Sequence, residues 1–250
     1  MKLPLSDIPL KTRLLIVAAG IAALVAAATG VRYMIYGPAA DPSTDAYPVR
    51  GIDISGHNGS DIDFEAVARQ GYSFVIMKSS EGSSFKDARY LSNIARARKA
   101  GLRVGVYHFF RFDAAGYMQA LNFLHSLRGQ RLDLPVVIDI EQWTNPTNRP
   151  TQRVIATLRT LIHRLEKEGL TVMLYTNKDG YDDFVAGRFP GYPLWICSFT
   201  DIDTSIDWTL WQYSHSGSVD GIDGAVDLNV FNGSQQQFEQ WCDSTARLLL

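Results

Sequence analysis

The chain has 250 residues, with 24 Lys and Arg against 26 Asp and Glu for a formal net charge of −2, and 46% of its residues are hydrophobic. That balance suits a globular protein with one α/β domain or two small ones, and it gives no support to nucleic acid as a partner. Five histidines without an H-E-x-x-H spacing and only two cysteines, Cys197 and Cys242, argue against a zinc site; two buried thiols, or one disulfide in an oxidising compartment, account for the pair.

The first segment stands apart. "LLIVAAGIAALVAAATGV", residues 14–31, carries no charge, and as a helix it would reach roughly 27 Å at about 1.5 Å per residue, close to the thickness of a bilayer core. Lys2, Lys11 and Arg13 precede it and Arg32 follows it, a bias that keeps the N-terminus cytoplasmic and exports the remainder. The run reads as a transmembrane anchor or, because Ala26-Ala27-Ala28 resembles a cleavage site, as a signal peptide. Residues 37–48, "GPAADPSTDAYP", read as a polar linker. The expected organisation is therefore 1–36 cytoplasmic stub and anchor or signal, 37–48 linker, 49–233 folded domain, and 234–250 C-terminal helix or tail. The localisation that follows is a cell membrane with the domain outside the cytoplasm, or secretion.

Beyond residue 48 an amphipathic stretch, a glycine and a β-branched run alternate. "FEAVARQG" leads into "YSFVIMKSSEG", "ARYLSNIARARKAG" into "LRVGVYHFF", "AAGYMQALNFLHSLRG" into "LDLPVVIDIE", and "VIATLRTLIHRLEKEG" into "LTVMLYTN". Gly71, Gly101, Gly129 and Gly169 fall at helix ends, Asp63 suits an N-cap, and Pro150 suits a first turn. Eight strands are predicted, at 50–55, 74–79, 104–109, 136–141, 171–176, 194–198, 209–213 and 225–230. Such alternation implies mostly parallel pairing, and eight strands suggest a closed α/β barrel. The last three strands are joined by stretches too short or turn-rich for full helices, so irregularity is expected there. An open doubly wound sheet lacks support, since no glycine-rich phosphate loop follows any strand.

Acids sit at matching positions on three strands. In "PVVIDIEQW" the side chains of Val137, Asp139, Glu141 and Trp143 share one face while Val136, Ile138 and Ile140 share the other. Asp53 in "GIDIS" opposes Ile52 and Ile54, and Asp227 with Asn229 opposes Val226, Leu228 and Val230. Burying ionised groups costs several kcal/mol unless they are relieved, so four carboxyls converging on one barrel mouth call for a chemical role. Aromatics mark the same strand ends: Tyr107, Phe109, Phe110, Trp143, Tyr175, Trp195, Trp211 and Tyr213. Rings beside carboxyls and amides suit a sugar, which offers an apolar face and a hydroxyl rim; some of these rings also serve as barrel filler. No G-x-S-x-G elbow supports a serine hydrolase.

In order, "GIDISGHNGSDIDF", "GYSFVIMKSSEG", "GVYHFF", "PVVIDIEQW", "LYTN", "LWICSF" and "WQYSHSGSVDGIDGAVDLNVF" resemble the blocks of family 25 of the glycoside hydrolases, the Chalaropsis-type lysozymes, from about residue 49 to 231. The resemblance implies an irregular, flattened (β/α) TIM-like barrel that cleaves the β-1,4 bond between N-acetylmuramic acid and N-acetylglucosamine without a metal or other cofactor. It makes Glu141 the general acid/base. Asp139 becomes its partner, steering the substrate's 2-acetamido group or acting as nucleophile, and Asp53 and Asp227 are the remaining acids of the groove. Tyr175 matches a tyrosine near the reacting sugar, Trp211, Gln212 and Tyr213 a lining block, and Glu81 a "K-A-T-E-G" position here written "KSSEG". Tyr107, Phe110 and Trp143 join the expected substrate contacts. Glu141 is expected to keep a proton near neutral pH while Asp139 stays ionised. The expected partners are peptidoglycan strands and, through the N-terminal helix, a membrane, with the chain a monomer. A non-catalytic glycan-binding module and a hydrolase of another N-acetylhexosamine polymer are the alternatives.

Overall fold

The computed structural model describes residues 42–59 and 61–248. The apolar run at 14–31, on which the anchor or signal expectation rests, lies outside the described residues. Among the described residues no helix is long and apolar enough to cross a membrane.

In chain order the elements are β1 (Arg50–Ile54), α1 (Phe64–Arg69), β2 (Tyr72–Glu81), β3 (Phe85–Lys86), α2 (Tyr90–Lys99), β4 (Arg103–Phe109), α3 (Gly116–Leu127), β5 (Arg131–Leu132), β6 (Val136–Asp139), α4 (Thr151–Glu166), β7 (Val172–Asn177), β8 (Leu194–Cys197), β9 (Leu210–Gly217), β10 (Val226–Phe231), α5 (Gln235–Thr245) and β11 (Arg247–Leu248). Local chemistry sets their ends. The Asp63 carboxylate accepts from Ala66 N–H at 2.9 Å and starts α1. Gly71, Gly101, Gly129 and Gly169 adopt φ of 72° to 86°, the left-handed conformation that ends a helix. Pro150 is the N-cap of α4, one position earlier than the first turn expected.

The eight long strands close into a barrel in the order β1-β10-β9-β8-β7-β6-β4-β2, with β2 returning to β1. All neighbours from β1 through β2, β4, β6, β7 and β8 to β9 are parallel, whereas β10 runs antiparallel to both β9 and β1. The cause lies in the connection: residues 218–225 between β9 and β10 are too few for a parallel crossover, which needs a dozen or more. This is the irregularity expected at the C-terminal end. β3 folds back on the end of β2, and β5 pairs with β11 outside the barrel.

Strand alternation sorts the core into two shells. Val136, Ile138 and Ile140 pack outward with Leu158, Leu161 and Leu165 of α4 in the larger cluster. Phe74, Ile76, Val137, Met173, Tyr175, Trp195 and Leu210 fill the lumen together with Phe238 and Cys242 of α5. Gly51 leaves room for the Phe74 ring, which a Cβ there would meet at 2.2 Å. The Phe238 ring lies 5.4 Å from Phe74 and 5.3 Å from Phe231, so α5 plugs one end of the barrel. The stretch expected as a C-terminal helix or tail from 234 thus forms the helix α5, which packs into the domain. The end of the expected linker does so as well, with Tyr47 5.5 Å from Trp208 and edge-on to Trp211. Cys197 lines the open mouth while Cys242 sits in the plug, and both thiols are free.

Candidate active site

The open end of the barrel holds a cavity of about 610 Å³ lined by Asp53, Asp139, Glu141 and Asp227. Asp53 and Asp139 reach it from the C-terminal ends of β1 and β6, with Glu141 two residues further on. Asp227 lies near the start of β10, and it arrives at the same mouth because that strand runs backwards, making it the register partner of Asp53. The β6 ladder stops at Asp139, short of the predicted 141, although Ile140 N–H still bonds the Tyr175 carbonyl at 2.9 Å.

Of the residues expected to contact substrate, Tyr107, Trp143, Tyr175, Gln212 and Glu81 line the cavity. Phe110, Trp211 and Tyr213 do not. Phe110 and Trp211 are buried in the outer shell, and Tyr213 packs against that shell. Strand parity is the reason: Gln212 faces the lumen, so both of its neighbours must face away. Trp211 instead donates its indole N–H to the Ser198 carbonyl at 2.7 Å.

Several lining residues escaped the sequence reading, among them Lys78, Arg111, Asn177 and His215. Lys78 was legible, since it shares the parity of Phe74 and Ile76. That Glu81, three positions on, also lines the cavity depends on a bulge: β2 slips against β4 between Lys78 and Ser80. Lys78 Nζ then donates to Glu81 Oε2 at 2.7 Å and lies 4.9 Å above the Phe109 ring. Arg111 Nη1 donates to the Thr144 carbonyl at 2.8 Å, bracing a loop in which Thr144 holds φ at 60°. That loop presents Trp143 at the rim, 75% exposed.

Burial dominates the electrostatics. It pushes Asp53 and Asp139 well above the usual carboxylate range, with Asp227 adding to the first and Glu141 to the second, while Lys78 pulls Asp139 back. Glu141 rises to about 7 through burial and the nearby Asp227 carboxylate. Asp139 is only 6% exposed, so burial works against the ionised form expected of it. Its Oδ1 is buried without a hydrogen-bond partner. Asp53, by contrast, accepts two bonds at 2.8 Å, from Gln212 and Asn229.

A closed β/α barrel whose mouth gathers a carboxylic acid titrating near neutrality, further carboxyls, aromatic rings and an exposed tryptophan is that of a glycoside hydrolase. The chain belongs to family 25 of the glycosyl hydrolases, whose pattern it matches over residues 52–222. It is 34% identical to Lysozyme M1 of Streptomyces globisporus over 220 residues, covering 81% of this chain and 74% of that one. Its fold matches a family 25 glycosyl hydrolase from Bacillus anthracis with a TM-score of 0.72 and 34% identity, covering 80% of this chain and 96% of that one. A bacterial lysozyme from Streptomyces coelicolor matches with a TM-score of 0.70 and 31% identity, over 79% and 98% of the two chains.

Proposed function

We infer that the protein is a peptidoglycan muramidase that hydrolyses the β-1,4 bond between N-acetylmuramic acid and N-acetylglucosamine. The observation that carries the assignment of roles is the pairing of Glu141, held at about 7, with an Asp139 oxygen that is buried and unpartnered. Glu141 gives its proton to the leaving glycosidic oxygen. Asp139 Oδ1 accepts the N–H of the 2-acetamido group, a bond that favours the ionised carboxylate once substrate is bound. The acetamido oxygen then attacks the anomeric carbon, Asp139 stabilises the positive charge that develops, and water activated by the ionised Glu141 opens the intermediate with retention of configuration. Trp143 offers an exposed face for a neighbouring sugar.

The uncharged run at 14–31, with its basic flank, supports a domain working outside the cytoplasm, tethered to the membrane or secreted. N-terminal sequencing of protein recovered from membranes separates these: an intact terminus means a tether.

Purified sacculi and chitin, incubated in parallel with wild type and Asp139→Asn, test the reading. Wild type should release reducing ends from sacculi, and the variant should bind sacculi but release about 100-fold less. Binding without release by wild type would make the protein a glycan-binding module, and release from chitin alone would change the substrate.

A further inference from the structure

The pairing of β4 with β6 ends where one side chain intrudes. Its last backbone bond runs from Phe110 N–H to the Asp139 carbonyl at 2.9 Å. A parallel ladder carried on by two residues would bond Glu141 to β4 on either side of Arg111. Glu141 N–H would donate to the Phe110 carbonyl, and Phe112 N–H would donate to the Glu141 carbonyl. The side-chain amide of Asn145 makes the β4 half of both bonds instead. Its Nδ2 donates to the Phe110 carbonyl at 2.9 Å, and its Oδ1 accepts from Phe112 N–H at 2.8 Å. The same Nδ2 donates to the Glu141 carbonyl at 2.8 Å. A peptide N–H can only donate and a peptide carbonyl can only accept, so these three partners fix which end of the amide faces which. Asn145 is buried, and Phe110 and Phe112 belong to the outer shell, so the amide hangs from a packed wall.

Asn145 therefore sits between β4 and Glu141 like an inserted peptide unit. On the β7 side the Ile140 carbonyl accepts from Thr176 Oγ1 at 2.7 Å, so the backbone that carries the acid is held from both neighbouring strands. Residues 142–144 are released from the sheet, and Asn145 N–H closes their loop on the Gln142 carbonyl at 3.0 Å. Both neighbours of Trp143 are tied down. Gln142 Nε2 donates to Asp183 Oδ2 at 2.7 Å, and the Thr144 carbonyl accepts from Arg111 at 2.8 Å. Trp143 itself stands exposed on the cavity lining.

We propose that Asn145 is a positioning residue of this site: taking the place of Glu141 against β4, it fixes the backbone of the acid and, through the loop it closes, holds the Trp143 ring as a platform for a neighbouring sugar.

The proposal rests on the muramidase reading in taking Glu141 as the acid and glycan strands as the ligand. A double-mutant cycle on sacculi tests it, with Asn145→Ala, Trp143→Ala and the double variant in the full chain. Asn145→Ala should lower kcat about 10- to 100-fold, as a displaced acid would, and raise KM about 3- to 10-fold, as a lost platform would. In the Trp143→Ala background the effect of Asn145→Ala on KM should vanish while the loss of kcat persists. A merely structural role would leave KM unmoved or multiply the two KM effects, and either result in folded protein overturns the proposal. Should Asn145→Ala not fold, Asn145→Asp takes its place with the same expectation, since it keeps the acceptor for Phe112 N–H and loses the donors to both carbonyls. Failure of both variants to fold would make Asn145 a structural residue and overturn the proposal as well. If wild type releases no reducing ends, the muramidase reading falls, and the cycle is read on Kd for sacculi in place of KM, which keeps the two failures apart.

Discussion

Glu141→Gln separates chemistry from stability in one substitution. The side chain keeps its shape, but its proton donor is lost, so kcat on sacculi should fall by about 10²- to 10⁴-fold with KM little changed. Stability should move the other way. In the folded protein this carboxyl rises from 4.5 to about 7, so the native state holds a proton that the unfolded chain releases between those values. The contribution is fully present below about pH 4.5 and is lost as pH rises through about 7. A shift of that size corresponds to roughly 3 kcal/mol at about 1.4 kcal/mol per pH unit, and solvent at the cavity mouth screens it to about 1–2 kcal/mol. Glutamine has no such ionisation. Urea unfolding should therefore find the variant about 1–2 kcal/mol more stable than wild type at pH 8 and equal to it at pH 4, a difference in Tm of roughly 2–8 °C at the higher pH. The wild-type rate should also decline above about pH 7, a limb absent from any residual activity of the variant. Wild-type-like turnover in a folded Glu141→Gln protein, or equal stability of the two at pH 8, would refute the reasoning.

Two tryptophans that look alike in sequence should behave oppositely. Trp143→Ala removes an exposed ring at the rim and should raise KM for sacculi with Tm unchanged, whereas Trp211→Ala removes a buried one and should cost about 3–5 kcal/mol in urea unfolding with KM unchanged. Phe238→Ala, which opens a void in the plug beneath Phe74 and Phe231, should also cost about 3–5 kcal/mol by urea unfolding; a loss below about 1 kcal/mol would mean that α5 does not close the barrel.

Much of this architecture is written locally. Alternation on each strand shows that Asp139 goes with Glu141 and Val137, and that Asp227 goes with Asn229, because a strand's period of two is a property of the backbone. The same rule turns Trp211 and Tyr213 away from the lumen once Gln212 faces it. Lys78 was equally legible beside Ile76. The bulge was not, since Ser79 and Ser80 look the same whether or not the ladder slips, and so the meeting of Lys78 with Glu81 needed the partner strand β4.

The amino-acid sequence by itself determined the eight strands, the glycines that end the helices and the acids that share a face, since these follow from interactions among residues close along the chain. Tertiary structure alone decided that β10 runs backwards and brings Asp227 against Asp53, that α5 seals the opposite end of the lumen, and that Trp195 reaches Asp53 through Asn229. Those are pairings between residues distant in the chain, and a strand's own pattern says which side chains travel together without saying what they will face.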